Sequence, residues 1–389
     1  MNNRWGILAV LFVVRLTMPF QFQSVAAVAP LLGREFGVGL ADIGVLIGLY
    51  FAPGVALALP GGAIGQKFGD KTTVLVALLL MLIGGLAMAF SHSWQAQIAG
   101  RLVAGSGGVL LNVLMTKMVT DWFAGKEIST AMAIFVTSWP VGVALSLLVL
   151  PAIGTAYGID AAYLAVLALI GSGIILLGFG YQPPAHAATA ATAAAWPDRN
   201  AAVAVVTAGL MWGLYNAGFA TVFSFGPAML VERGWSISAA GSATSIVLWL
   251  GLLSVPAGGY LADRTGRPQF ILVVGCIMTA VLTVALPRSG AVISTVVVFG
   301  LLSGLAAGPM MSLPARVLAP STRAIGMGLF YAVYYGVMML GPALAGACAK
   351  WAGSAAAAFD FGAALIVACP VLLWGYNRVP AVVPQLAQS

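Results

Sequence analysis

Apolar runs long enough to cross a bilayer recur along the whole chain, separated by short polar turns that carry glycine. A helix needs about 20 such residues to cross the hydrocarbon. The pattern predicts twelve spans, at 5–32, 42–66, 72–91, 94–118, 128–150, 156–181, 201–231, 236–262, 268–287, 290–315, 322–349 and 355–378. The runs are continuous rather than alternating, which excludes a transmembrane β-barrel. The interruption at 182–200 differs from the other turns. It is rich in Ala and Pro, carries Pro183, Pro184, His186, Asp198 and Arg199, and has no periodic apolar face. The expected organisation is therefore an N-terminal six-helix bundle (1–181), a linker (182–200), a C-terminal six-helix bundle (201–378) and a tail (379–389).

Composition strengthens the membrane reading. Of 389 residues, 61% are hydrophobic and 7% charged, with a mean hydropathy of +1.04. A soluble domain carries about 25% charged residues. Soluble enzymes and nucleic-acid binders are excluded, and the lipid bilayer is the expected surrounding. The segment 5–32 is too long for a signal-peptide core and lacks a small-residue cleavage site, so no secretory signal is expected.

Basic residues set the orientation. With the N-terminus cytoplasmic, Arg4, Lys67, Lys71, Lys117, Lys126, Arg199, Arg264, Arg267, Arg316, Arg323 and Arg378 fall on the cytoplasmic side. Arg34, Arg233, Arg288 and Lys350 fall on the other. Eleven against four places both termini and the linker in the cytoplasm, in a bacterial inner membrane. Cys276, Cys348 and Cys369 are dispersed, and form neither a disulfide framework nor a metal cluster. His92 and His186 lie in loop and linker without an evident role. No catalytic residue, metal or cofactor is expected, and a monomer suffices.

The chain also repeats itself. At an offset of 197 residues Pro30 meets Pro227, Glu35 meets Glu232 and Lys67 meets Arg264. At the same offset Gly37, Gly44, Gly54, Gly62 and Gly69 meet Gly234, Gly241, Gly251, Gly259 and Gly266. Two parallel six-helix repeats around a midplane site are one architecture of secondary transporters.

The loops inside the repeat carry the sharpest motif. One reads Gly259-Tyr-Leu-Ala-Asp263-Arg264-Thr-Gly266-Arg267-Pro268, the other Gly62-Ala-Ile-Gly-Gln66-Lys67-Phe-Gly69-Asp70-Lys71. Both resemble the signature loop of the major facilitator superfamily, Gly-x-Leu-Ala-Asp-Arg-x-Gly-Arg-Arg. The resemblance implies an all-α membrane protein of two pseudo-symmetric six-helix bundles that transports by alternating access. Asp263 sits near the negative C-terminal end of its helix, so it calls for a partner: Arg264, Arg267 or a neighbouring helix N-terminus. Gln66 cannot supply that charge, so the first copy is expected to hold less firmly.

Ionisable groups inside a span are costly and point to function. The ten acidic residues all lie in loops or near span ends, whereas Arg15 and Arg101 lie within spans. A bound anion would neutralise such cations, and backbone carbonyls are the alternative partners. Arg15 shares a helical face with Pro19, Phe22 and Gln23, and Arg101 shares one with Gly105, Gly108 and Asn112. The segment Arg101-Leu-Val-Ala-Gly105-Ser-Gly107-Gly108 resembles the superfamily's span-4 motif. With Arg15 it is similar to the organic-anion symporter branch, although Gly108 stands where that branch carries a proton-handling Glu.

In the second half Trp212 is the repeat counterpart of Arg15. It is joined by Tyr215, Asn216 and, in span 11, Tyr335 as candidate polar contacts. The expected function is secondary active or facilitative transport of a small organic anion, with uniport, exchange against a counter-anion and proton symport all open. A cyanate- or nitrate-like inorganic anion, or drug and metabolite export, are the alternatives.

Overall fold

The computed structural model describes residues 4–123, 128–184, 196–319 and 322–380, with side chains except at 62, 63, 66, 128–130, 133, 315, 323 and 324. Most of the linker (185–195, with His186), the end of the tail (381–389), Lys126, and the side chains of Gln66 and Arg323 lie outside the described residues.

The described residues form helices and no strand. The first helices are α1 (Arg4–Ala27), α2 (Ala29–Phe36), α3 (Leu40–Leu49), α4 (Ala52–Leu57), α5 (Gly61–Phe68) and α6 (Asp70–Phe90). Next come α7 (Trp94–Phe123), α8 (Ile128–Tyr157) and α9 (Ile159–Gly180). The later helices are α10 (Arg199–Glu232), α11 (Ile237–Thr265), α12 (Pro268–Ala285), α13 (Val292–Leu302), α14 (Ala307–Met311), α15 (Arg323–Ala352) and α16 (Ala356–Tyr376). Twelve stretches are long and apolar enough to cross a membrane, among them Leu40–Leu57 and Val292–Met311. The chain is a multi-pass membrane protein.

Contacts group the helices into two compact units. One comprises residues 1–38 and 49–190, the other residues 39–48 and 191–389. In the second unit the segment 39–48 packs on α15 through glycine. A Cβ at Gly44 would collide with the Pro342 carbonyl, and one at Gly346 with the Leu40 carbonyl.

Three predicted spans are not single helices, and span 1 passes from α1 to α2 at Val28, two residues before Pro30. Span 2 is divided among α3, α4 and α5, because Pro53 and Pro60 cannot donate to the carbonyls one turn back. Span 10 breaks at 303–306 between α13 and α14, with Pro309 in the short second piece. Within a bilayer such breaks survive only where protein groups satisfy the freed backbone. Here the Tyr215 hydroxyl donates to the Ser303 carbonyl, and Gly304 N donates to Ser254 Oγ at 3.1 Å.

Glycine sets how closely neighbouring helices approach, as is usual in membranes where hydrophobic burial does not drive association. In the first unit Gly84 and Gly100 bring α6 and α7 together; a Cβ at either would collide with a carbonyl of the other. In the second unit a Cβ at Gly258 of α11 would collide with the Leu305 backbone in the span-10 break, whereas Gly259 faces open space. Overpacking costs about 1–3 kcal/mol, and more where the obstacle is backbone. Gly258→Val should therefore lower the unfolding temperature in detergent by several degrees while Gly259→Val leaves it unchanged, as read by a fluorescence thermal-shift assay.

Candidate functional site

Arg15 is buried in the first unit and is held by groups from α7 and α8. Its Nε and Nη2 donate to Asn112 Oδ1 at 3.3 and 3.0 Å. Its Nη1 donates to Ser138 Oγ at 2.8 Å and to the carbonyls of Phe135 and Val136 at 3.1 and 3.3 Å. These acceptors are neutral, and the guanidinium also lies 4.7 Å from the Phe135 ring centroid.

The sequence explains why α8 offers oxygen here. Pro140 has no N–H, so the Val136 carbonyl four residues earlier loses its helical donor. Arg15 takes that place. Ser138 Oγ donates to the Phe135 carbonyl at 2.6 Å and accepts from Arg15, completing a small polar node. The approach of α8 to α1 depends on Gly142, where a Cβ would crowd the Pro19 ring and the Leu16 carbonyl.

Phe22, further along α1, gathers a cluster of aromatic rings. Phe22 packs on Phe51, Trp139 and Tyr50 at centroid distances of 4.8, 5.6 and 5.8 Å. Trp139 is half-buried and follows Ser138 directly in sequence. The Arg15 node thus gathers an arginine fork, an amide and a hydroxyl from α1, α7 and α8, with the Phe135 ring against the guanidinium. Their chemistry suits a ligand with an anionic end and a polar or ring-shaped body.

Arg101 occupies a different environment. It is fully buried, with Nη1 and Nη2 donating to the carbonyls of Gln21 and Phe22 at 3.0 and 2.5 Å. Its guanidinium lies 4.6 Å from the centroid of Tyr50 and 5.7 Å from that of Phe22. Arg101 thereby ties α7 to the backbone of α1. Asn112, on its helical face in sequence, meets Arg15 instead. Gln23 is also fully buried.

Among the second-unit candidates, Tyr215 is buried and engaged with the span-10 break. Asn216 is half-buried, with Nδ2 donating to the Trp212 carbonyl at 2.7 Å. Trp212 and Tyr215 stack at 6.3 Å. Tyr335 is buried in a ring cluster with Tyr331 and Tyr334, at 6.3 and 5.1 Å.

Residues 11–229 and 201–388 match the Major Facilitator Superfamily. The chain belongs to this superfamily. A hexuronate transporter of Bacillus subtilis is 20% identical over 67% of this chain and 65% of its own length. An uncharacterized MFS-type transporter of Mycobacterium tuberculosis is 24% identical over 74% of this chain and 66% of its own. The chain thus spans slightly less than two thirds of these relatives, and 29% of the human choline/ethanolamine transporter FLVCR2, with which it is 24% identical over 39% of its own length. A D-xylose-proton symporter shares the fold with a TM-score of 0.79 at 14% identity, covering 97% of this chain and 98% of that one. These relatives and structural neighbours are named as transporters, not enzymes.

The superfamily's signature loops behave differently from the sequence expectation. In the first copy the acid sits at Asp70 rather than at Gln66, in the first turn of α6 beyond Gly69, whose φ is +83°. Asp70 accepts from Lys117 Nζ of α7 at 2.5 Å, and Lys117 also meets Asp121 at 3.1 Å. Lys71 donates to the carbonyls of Gly178 and Tyr181 at the end of α9, both at 2.8 Å. The first loop is therefore bound to two other helices of its unit, while Lys67 lies against the Phe68 ring.

In the second copy Gly266 ends α11 in the left-handed conformation at φ +62°. Arg264 donates to the Tyr260 hydroxyl at 2.8 Å rather than to Asp263. Asp263 is exposed and has no ion-pair partner among the described residues.

The structure also accounts for glycine at the position where the organic-anion branch carries glutamate. A Cβ at Gly108 would meet the ring and hydroxyl of Tyr50, and one at Gly105 would meet the Tyr50 backbone. The Tyr50 side chain fills the space that an acid would need, and Arg101 lies over its ring. Gly108→Glu should lower the unfolding temperature by the equivalent of about 1–3 kcal/mol. Adding Tyr50→Ala should recover part of the loss, and an unchanged unfolding temperature in the single variant would contradict this packing.

Proposed function

We propose that the protein is a secondary transporter of a small organic anion, working by alternating access in a bacterial inner membrane with both termini cytoplasmic. The observation that carries the reading is the Arg15 node. A guanidinium lies within a span, among neutral acceptors from two other helices, and the chain has no carboxylate near the centre of any span. The amide, hydroxyl and carbonyl acceptors on the guanidinium are exchangeable, and an anion entering here gains a charge-assisted bond in their place.

The anion replaces some of the carbonyl and amide acceptors on Arg15. Ser138 and Asn112 then turn toward it, and Trp139 and Phe22 cover its apolar part. Arg101 positions α1 by its carbonyl bonds. In the second unit Trp212 and Asn216 are half-buried polar candidates, while Tyr215 is engaged with the span-10 break. The likeness to a hexuronate transporter supports an organic carboxylate over an inorganic ion, and the guanidinium fork fits a carboxylate edge. With no acid near a span centre, exchange against a counter-anion or simple uniport fits better than proton coupling through a central carboxylate.

The test is a binding screen of mono- and dicarboxylates and small inorganic anions on purified protein, followed by Arg15 variants. Losing a charged partner in a desolvated site costs about 2–5 kcal/mol, roughly 30-fold or more in affinity. Arg15→Ala should nearly abolish binding, and Arg15→Lys should weaken it, with insertion and folding intact by size-exclusion profile. Near-normal affinity in Arg15→Ala would return Arg15 to a structural role.

Alternating access also requires Asp263 to find its partner in another state of the cycle. Asp263→Asn should slow flux in proteoliposomes without altering thermal stability. Equal flux in the variant and the parent would reduce the second loop to a topological signal.

A further inference from the structure

Three loops of the first unit converge at one rim. Glu35 is in the last turn of α2, His92 lies between α6 and α7, and Asp160 is in the first turn of α9. One ligand atom from each lies within 4.8 Å of the others, and His92 Nδ1 stands 3.4 Å from Glu35 Oε1. The backbone here is well anchored. Phe36 packs on Trp94 at 5.7 Å, Gly37 ends α2 at φ +64°, and Gly158 precedes α9 at φ +89°. Ser93 Oγ accepts from Ala96 N at 3.2 Å at the start of α7.

The corresponding rim of the second unit is built from the same kinds of loop but different chemistry. Glu232, the repeat counterpart of Glu35, accepts from Ala355 N at 3.2 Å, ahead of α16. Asp360 receives both guanidinium nitrogens of Arg288 at 2.7 and 2.8 Å. Each carboxylate there has its own donor, and the cation is permanent. In the first unit an imidazole replaces the guanidinium, and it faces two carboxylates. All three side chains are exposed. Arg34 neighbours Glu35 in sequence, on the same short helix.

We propose that Glu35, His92 and Asp160 bind a divalent transition-metal ion of the zinc class, which fastens α2, the loop before α7 and the start of α9 together. One ring nitrogen and two carboxylates are a donor set that zinc takes, with water in the remaining position. Tetrahedral zinc brings its ligand atoms to about 3.4 Å from one another, within reach of modest rotamer adjustment of exposed side chains. A hard cation such as calcium prefers an all-oxygen shell and gains little from imidazole. The three residues stand far apart in sequence, which is why no metal-ligand spacing is visible there.

The test uses the full chain in detergent with any affinity tag removed. Zinc is titrated by calorimetry, and thermal stability is read with and without it. Zinc should bind at one site and raise the unfolding temperature. His92→Ala should lose at least the roughly tenfold in affinity that removing even an outer-shell partner costs, and should cancel the stabilisation. Glu35→Gln and Asp160→Asn should each weaken binding, whereas His186→Ala, at the chain's other histidine, should change nothing. Absence of zinc binding, equal zinc affinity in His92→Ala, or calcium binding as tight as zinc would each overturn the proposal.

Discussion

A charge inside a membrane protein must be given acceptors by the protein itself, because lipid offers none. Two guanidinium groups impose that requirement here, and much of the first unit is arranged around them. Arg101 is satisfied by the carbonyls of Gln21 and Phe22 and by the ring of Tyr50. That ring fits because residue 108 is glycine, and the Tyr50 backbone fits because residue 105 is. Arg15 is satisfied by an amide, a hydroxyl and two carbonyls, one of them released by Pro140. The first arginine is enclosed and ties helices together. The second is held at a node of exchangeable polar acceptors, which suits a group that trades partners during a cycle.

The same economy of polar groups runs through the second unit. The break in span 10 exposes backbone at residues 303–306, and Tyr215 and Ser254 satisfy it. Gly258 lets α11 approach that break closely enough for the bond to form. The span-10 break in the second unit and the carbonyl freed by Pro140 in the first are thus each met by side chains from neighbouring helices, and close glycine contacts make those bonds reachable.

Much of this was legible in the sequence because membrane helices declare themselves by length and apolarity. The twelve spans, the glycine-marked repeat and the signature loops follow from one-dimensional pattern. Tertiary pairing does not. Asn112 reads as a neighbour of Arg101 on one helical face, yet it meets Arg15, because contact between helices is set by packing rather than by periodicity. Ser138 lies in the sequence beside Pro140, and the proline's freed carbonyl is the signal that would have linked it to Arg15. The first signature loop reads as weak because Gln66 stands at the acidic position. Its acid has moved along to Asp70, where it meets Lys117, and aligned positions alone miss such a displacement. The rim triad of Glu35, His92 and Asp160 was invisible for a similar reason, since three separate loops bring it together.

Transport on this reading turns on an anion meeting Arg15. The most direct measurement is an experimental structure with a tightly binding carboxylate, such as a hexuronate, at saturating concentration. The carboxylate should lie within hydrogen-bonding distance of the Arg15 guanidinium, with Ser138 or Asn112 turned toward it and at least one of the carbonyls of Phe135 and Val136 released. A ligand bound elsewhere, with Arg15 still donating to both carbonyls, would contradict it.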